Sequence, residues 1–247
     1  KEANEYGMKI LLGFHYSDFW ADPGAQIAPK AWKNLSQEEI EKNVYKFTSD
    51  TIKTFNDNGI DIGMVQIGNE ITQGMMGVTS SIEPEGPVWT VPEKSDKIAG
   101  FLSAGISATR DNAPNSLVAI HLESLSIKTF DTVMTMLNNY GIDYDVMGAS
   151  YYPFWGVNKK TLSDVQDMVN NKYGKLFSIM ETAWINADQD GDGTANSVNN
   201  TGGAPYPIGP QGQVDMLSDM YATTTSKTNG IGGFYWEPAW IPVKPGW

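Results

Sequence analysis

No cysteine occurs in the 247 residues, which removes disulfides and thiolate chemistry and leaves the redox compartment open, since secreted proteins can also lack the residue. Basic charge is scarce as well: 17 Lys and Arg stand against 29 Asp and Glu, a formal net charge of −12. Nucleic acid and anionic lipid surfaces are held by clustered Lys and Arg, so this balance argues against both partners and for a neutral one. No apolar run approaches the roughly 18 residues of a membrane span. No signal-peptide pattern opens the chain, whose start reads as internal. The two histidines are far apart and no HExxH occurs, which argues against a zinc centre. What is abundant is aromatic: 11% of the residues, eight of them Trp, within a chain that is 40% hydrophobic and 19% charged. That composition supports a globular core and not disorder.

Six short apolar runs recur, KILLGF (9–14), IGMVQIGNE (62–70), LVAIHLE (117–123), DVMGASYY (145–152), LFSIMETAW (176–184) and GIGGFYWEPAW (230–240). Each reads as a strand buried on both faces. Helical stretches lie between them. The clearest carries Ile40, Val44, Phe47, Thr51 and Phe55 on one stripe, opened by the capping box Ser36 to Glu39 and closed by Gly59. Others span 94–112, 127–140, 161–173 and 211–228, with stops near Gly141, Gly174 and Gly230.

Strands alternating with helices imply a parallel sheet, doubly wound or closed as a (β/α)8 barrel. No GxGxxG follows the first strand, so the nucleotide-binding sheet lacks its best sign. Polar and aromatic residues gather at the C-terminal ends of the runs: His15 and Asp18, Asn69 and Glu70, His121 and Glu123, Tyr151 and Tyr152, Glu181 and Trp184, Trp236 and Glu237. A barrel gathers such ends around one mouth. The expectation is therefore an α/β chain of the (β/α)8 TIM-barrel type forming a single catalytic domain over 1–247. Six strands do not close such a barrel. KEANEYGMK reads as a last helical turn stopped by Gly7, and IPVKPGW ends before a final helix. The chain is expected to cover strands three to eight, with about two βα units absent before it and the closing helix absent after it.

Glu70 and Glu181 each follow an apolar strand, three strands apart in that count. Two carboxyls facing across a sugar are the working parts of glycoside hydrolysis: one gives a proton to the leaving oxygen, while the other attacks the anomeric carbon or activates water. A single glutamate at a strand end is ordinarily a solvated rim residue or a helix N-terminal charge. Two of them in aromatic-rich segments shift the balance toward chemistry.

The segments FHYSDFWADPGAQIAPKAW (14–32), VQIGNE (65–70), SYYPFW (150–155), METAW (180–184) and GFYWEPAWIP (233–242) closely resemble the endo-β-1,4-galactanases, the arabinogalactan endo-galactosidases of glycoside hydrolase family 53. The resemblance spans nearly the whole chain, and HYSDFWADPG and YWEPAW are its most specific pieces. It implies a secreted, retaining hydrolase of internal β-1,4-galactosyl bonds in the galactan side chains of pectin, working as a monomer without nucleic-acid or membrane partners. By motif position Glu70 resembles the acid/base and Glu181 the nucleophile. Asn69 is then placed to hydrogen-bond the 2-hydroxyl of the reacting sugar. Tyr152 resembles the tyrosine that donates to the nucleophile, with Tyr151 as the alternative. His15 and Asp18 are expected sugar contacts, and His121 remains open between a structural and a site role. Trp236 and Trp240 are the expected stacking partners for the apolar face of galactose.

A second motif, DQDGDGTAN (188–196), copies the front half of a calcium loop, but Asn199 stands where an EF-hand has its closing Glu. The resemblance implies structural Ca2+ here, on Asp190, Asp192 and Asn196, while Thr194 replaces an expected histidine. Gly13 and Trp184 also depart from common family residues, and an arginine expected on strand two lies outside the sequence. Within the same chemistry the rival is a β-mannanase-like enzyme of the same clan. From another class it is a non-catalytic sugar-binding fragment.

Overall fold

The computed structural model describes residues 1–80, 88–123, 125–191, 193 and 195–238. It divides into two compact units, Lys1–Ser124 with Lys128–Gly148, and Leu125–Ile127 with Ala149–Trp247. The first carries α1 (Glu2–Glu5), β1 (Ile10–Phe14), α2 (Gln37–Asp57), β2 (Ile62–Ile67), the short strands β3 (Gly74–Met75) and β4 (Val78–Thr79), α3 (Pro92–Asn112), β5 (Leu117–Leu122) and nearly all of α4 (Ile127–Asn139). Strand β6 (Val146–Tyr151) is shared between the two units. The second unit continues with α5 (Lys159–Tyr173), β7 (Leu176–Thr182), α6 (Pro210–Thr225) and β8 (Gly230–Tyr235).

Hydrogen bonding orders the first unit β1-β2-β5-β6 and the second β6-β7-β8. The pairs β1–β2, β2–β5 and β7–β8 are parallel, with Leu12 against Val65, Val65 against Val118, and Phe177 against Gly230. Parallel strands need a crossover between them, and the amphipathic helices supply it. Inner strands β2, β5, β6 and β7 are buried almost throughout, as their apolar runs imply. Strands β1 and β8 are only partly covered, unlike the two-sided burial expected of them. Each is the outermost strand of its unit.

Local chemistry sets the helix ends. The Ser36 hydroxyl accepts from Glu39 N while the Glu39 carboxylate accepts from Ser36 N at 2.8 Å, closing the capping box. At the other end Gly59 takes φ 68°, and Gly59 N and Ile60 N donate to Asn56 O and Phe55 O at 2.9 and 3.1 Å. That left-handed stop favours glycine. The α6 end differs from expectation: the helix finishes at Thr225, and Gly230 begins β8, where a Cβ would lie 1.7 Å from Thr224 O. Close approach between helix end and strand, not helix termination, demands that glycine.

The buried stripe of α2 is also turned from the expected one. It holds Val44, Thr48, Ser49 and Ile52, while Phe47 is 50% exposed and lies edge-on to Phe14 and Tyr16. Tight packing against α3 is the reason: a Cβ on Gly100 would come within 2.0 Å of the Glu41 carboxylate, and the Tyr16 hydroxyl hydrogen-bonds Thr48 at 2.7 Å. Gly100 leaves no room for a side chain at that point of the seam. The rest of the core is ordinary aliphatic burial, Ile98 and Leu102 of α3 with Val133 and Leu137 of α4 being fully covered, each contributing roughly 1.5–3 kcal/mol.

Candidate active site

In the first unit the strand β2 stops at Ile67, three residues before the end of its apolar run. Gly68 still donates from its N–H to Phe14 O at 2.9 Å, and the chain then turns sharply. Glu70 takes φ 47° and ψ 47° at the head of a short 3-10 turn, Ile71–Gln73. A left-handed conformation costs a non-glycine residue on the order of 1–2 kcal/mol and persists only where neighbours enforce it. Gln26 does so. Its side-chain amide donates to Asn69 O at 2.8 Å, Glu70 O at 3.3 Å and Asp22 O at 3.1 Å. Gln26, Asn69 and Glu70 are all buried.

Two backbone carbonyls fix the protons of the surrounding network. The Gln66 atom 2.9 Å from Gly68 O must be nitrogen, and the same atom lies 2.9 Å from the Asn69 side chain, which therefore presents its oxygen. The other Asn69 atom faces Ala21 O at 2.8 Å and must be the NH2 group. His121 Nδ1, 3.1 Å from Asn69 Oδ1, consequently carries the ring proton and leaves Nε2 as the acceptor. Burial first, then the charge of His15, depresses the His121 pKa to about 3, so the ring is neutral over the ordinary pH range. A carboxylate oxygen of Glu70 lies within 4.8 Å of a His121 ring nitrogen.

His15 joins through the same residue, Ala21. Ala21 N donates to His15 Nδ1 at 3.0 Å, which puts the His15 proton on Nε2, and partial burial lowers its pKa. Asp18 is exposed, and its carboxylate accepts from Lys30 N at 2.7 Å, closing the long loop after β1. The structure thus brings His15, Asn69, Glu70 and His121 into one network and gives Asp18 a loop-holding bond.

In the second unit Glu181, on β7, is also buried, and the Tyr152 hydroxyl donates to its Oε2 at 2.9 Å. Tyr151 points elsewhere, into a wall with Tyr206, and burial is the first cause raising its pKa to about 12. Around Tyr152 runs an aromatic cluster: Phe154 is stacked on it at 5.4 Å, Trp155 stands edge-on at 4.9 Å, and Trp184 follows beyond Phe154. Trp184 is buried, its indole donating to Pro207 O at 2.8 Å, whereas Trp155 is 68% and Trp236 38% exposed. Trp236 lines a cleft of about 400 Å³ with Trp184, Asn186, Gln213, Tyr235 and Glu237. Trp240 lies outside the described residues.

The 188–196 loop contains one acidic turn, in which Gly193 N donates to Asp190 Oδ1 at 2.6 Å. The Asn196 NH2 group points to the carbonyls of Asp188 and Gln189 at 3.5 and 3.4 Å, which leaves its oxygen as a potential hard ligand. Asp192 and Thr194 lie outside the described residues. Sequence reasoning passed over Gln26 and Gln66. For Gln66 the signal was present, a lone amide inside the apolar strand run MVQI.

The glycosyl hydrolase family 53 profile matches residues 1–246. The chain belongs to glycosyl hydrolase family 53. It is 41% identical, over 99% of its length, to a protein of Bacillus subtilis (strain 168) named endo-β-1,4-galactanase, and covers 54% of that protein. A protein of Cellvibrio japonicus (strain Ueda107) named arabinogalactan endo-β-1,4-galactanase is 32% identical over 99% of the chain and 65% of its own length. Among solved structures the Ignisphaera aggregans GH53 catalytic domain superposes with a TM-score of 0.88 at 33% identity, over 98% of this chain and 66% of that one. The chain thus spans between about half and two thirds of the length of these relatives. The fold is α/β, of the (β/α)8-barrel type, with six of the strands carried here.

Proposed function

We propose that this chain forms the catalytic part of a retaining endo-β-1,4-galactanase acting on galactan side chains of pectin. Glu181 attacks the anomeric carbon and forms a glycosyl ester, while Glu70 protonates the departing oxygen. Glu70 then takes a proton from the water that hydrolyses the ester. The carboxyl separation expected for retention is about 5–5.5 Å. The observation that carries this reading is that both glutamates are buried at the C-terminal ends of parallel strands, where an isolated structural carboxylate would be costly. Supporting it are the Tyr152 hydrogen bond, suited to a carboxylate that stays ionised, and the similarity to two proteins named as galactanases. The net charge of −12 suits a neutral polysaccharide.

His15, through its Nε2 proton, and Trp236, through its exposed ring, are proposed sugar contacts, and Asp18 orders the loop that carries the first of them. Calcium in the 188–196 loop belongs to the same proposal: Asp190, Asp192 and Asn196 supply hard oxygens, and the ion would tie the loop down. A monomeric, extracellular enzyme is proposed in line with the family. Among the described residues no helix is long and apolar enough to cross a membrane. The test is hydrolysis of potato galactan, mannan and xylan followed by proton NMR. Galactan alone should be cut, with the β-anomer of the new reducing end appearing first. Appearance of the α-anomer first, or preference for mannan, would overturn the assignment.

A further inference from the structure

We infer that Gln66 is a positioning residue that sets which face of the Asn69 amide meets the reacting sugar. This role presupposes the glycosidase reading above. Asn69 Oδ1 already receives the Gln66 and His121 N–H groups, so it has no need of a further donor. One Asn69 amide hydrogen is committed to Ala21 O. The group left for a ligand is the second Nδ2 hydrogen, and Asn69 therefore donates to the sugar 2-oxygen and does not accept from it.

The two faces of an amide are nearly equal in shape, and only their partners decide between them. Here Gln66 from within the strand acts together with the Ala21 carbonyl from the loop after β1, and Gln66 is the one of the two that is a side chain. It is 5% exposed, inside a run that would otherwise be apolar, and a buried amide is tolerated only when hydrogen-bonded. Its NH2 group serves Gly68 O and Asn69 Oδ1 together, so it reads the backbone turn and transmits that orientation to Asn69. His121 adds a second donor to the same oxygen from β5. A carboxylate at position 66 would have the same shape but would set an acceptor against both Gly68 O and Asn69 Oδ1.

The test uses Gln66→Glu and Gln66→Met in the full-length protein, assayed on an aryl β-1,4-galactobioside and on its analogue lacking the 2-hydroxyl of the cleaved ring. For Gln66→Glu, kcat/KM on the hydroxylated substrate should fall on the order of 10- to 100-fold, mainly through kcat. The ratio between the two substrates should narrow by about the same factor. Gln66→Met, which removes the donor without adding charge, should give the same pattern more weakly, and it carries the test if Gln66→Glu does not fold. Equal losses on both substrates, or none, would overturn the inference, because a merely structural role ignores the 2-hydroxyl. Nitrogen-15 spectra of the histidines give a readout that needs no turnover. Wild-type His121 should carry its proton on Nδ1, and Gln66→Glu should shift it toward Nε2; an unchanged ring would count against the inference. If the wild type cuts neither substrate, the glycosidase reading fails and this role with it, whatever the spectra show.

Discussion

The ends of β2 and β7 each present a buried glutamate, and the surroundings built around the two differ. At β2 the brace is made of neutral amides and a neutral imidazole: Gln26 grips the Asn69 and Glu70 carbonyls, and Gln66 and His121 fix Asn69. These bonds go to the backbone and to Asn69, and they place the peptide that carries the Glu70 carboxyl. At β7 the carboxylate itself is held, by the Tyr152 hydroxyl within an aromatic wall. A group that must gain and lose a proton benefits from a backbone that stays fixed in both protonation states. A nucleophile that must stay ionised gains from a donor on the carboxylate. The contrast matches the proposed division of labour.

Removing the carboxylates tests this division most harshly. Glu181→Ala should lower kcat on every galactoside by on the order of 10³- to 10⁵-fold. Glu70→Ala should be as damaging on galactan but much milder on the first step with a dinitrophenyl leaving group, which departs without a proton. Pre-steady-state bursts on the two substrates measure the difference. If the leaving group rescues Glu181→Ala and not Glu70→Ala, the roles are reversed.

Smaller effects probe the braces. Tyr152→Phe removes the hydroxyl that donates to Glu181 Oε2 and should reduce kcat by on the order of 10- to 100-fold with little change in melting temperature. Loss of the β2 brace should show the reverse emphasis. Gln26→Met frees two carbonyls next to a left-handed residue, and is expected to cost about 1–3 kcal/mol in chemical denaturation while lowering kcat about tenfold. A variant with normal stability and normal kcat would show that the 3-10 turn alone holds Glu70.

Local features were legible in the sequence, and long-range ones were not. The capping box at Ser36 and the helix stops at Gly59, Gly141 and Gly174 were read correctly because each is decided within a few residues. The inner strands appeared as continuous apolar runs for the same reason. Phe47 was assigned to the core because its spacing fits, but the seam between α2 and α3 is set by Gly100, some fifty residues away. Likewise nothing near Glu70 announces a left-handed turn, since what stabilises it is Gln26 from another loop. Asp18 has a polar residue's pattern at a strand end, but its bond to Lys30 N closes a loop that spacing does not reveal. The hairpin of β3 and β4, with two residues in each strand, is too short for any periodicity.

The smallest and most specific difference between the two ends is its dependence on acid. His121 lies in the β2 network with its pKa depressed to about 3 by burial and by His15, whereas an unfolded histidine titrates near 6.5. Between those values the unfolded chain binds a proton that the folded chain does not, so stability falls as pH drops from about 6.5 toward 3, by up to roughly 1.4 kcal/mol per pH unit. Above pH 6.5 neither state is protonated there and the contribution is constant. His15, lowered in the same direction, adds a weaker slope in the same window. His121→Gln keeps an N–H for Asn69 Oδ1 and removes the titration, so urea unfolding free energies plotted against pH should flatten across that window relative to wild type. Parallel curves would mean that His121 is already protonated when folded, which would put an imidazolium beside Glu70 and replace the neutral brace by a charged one.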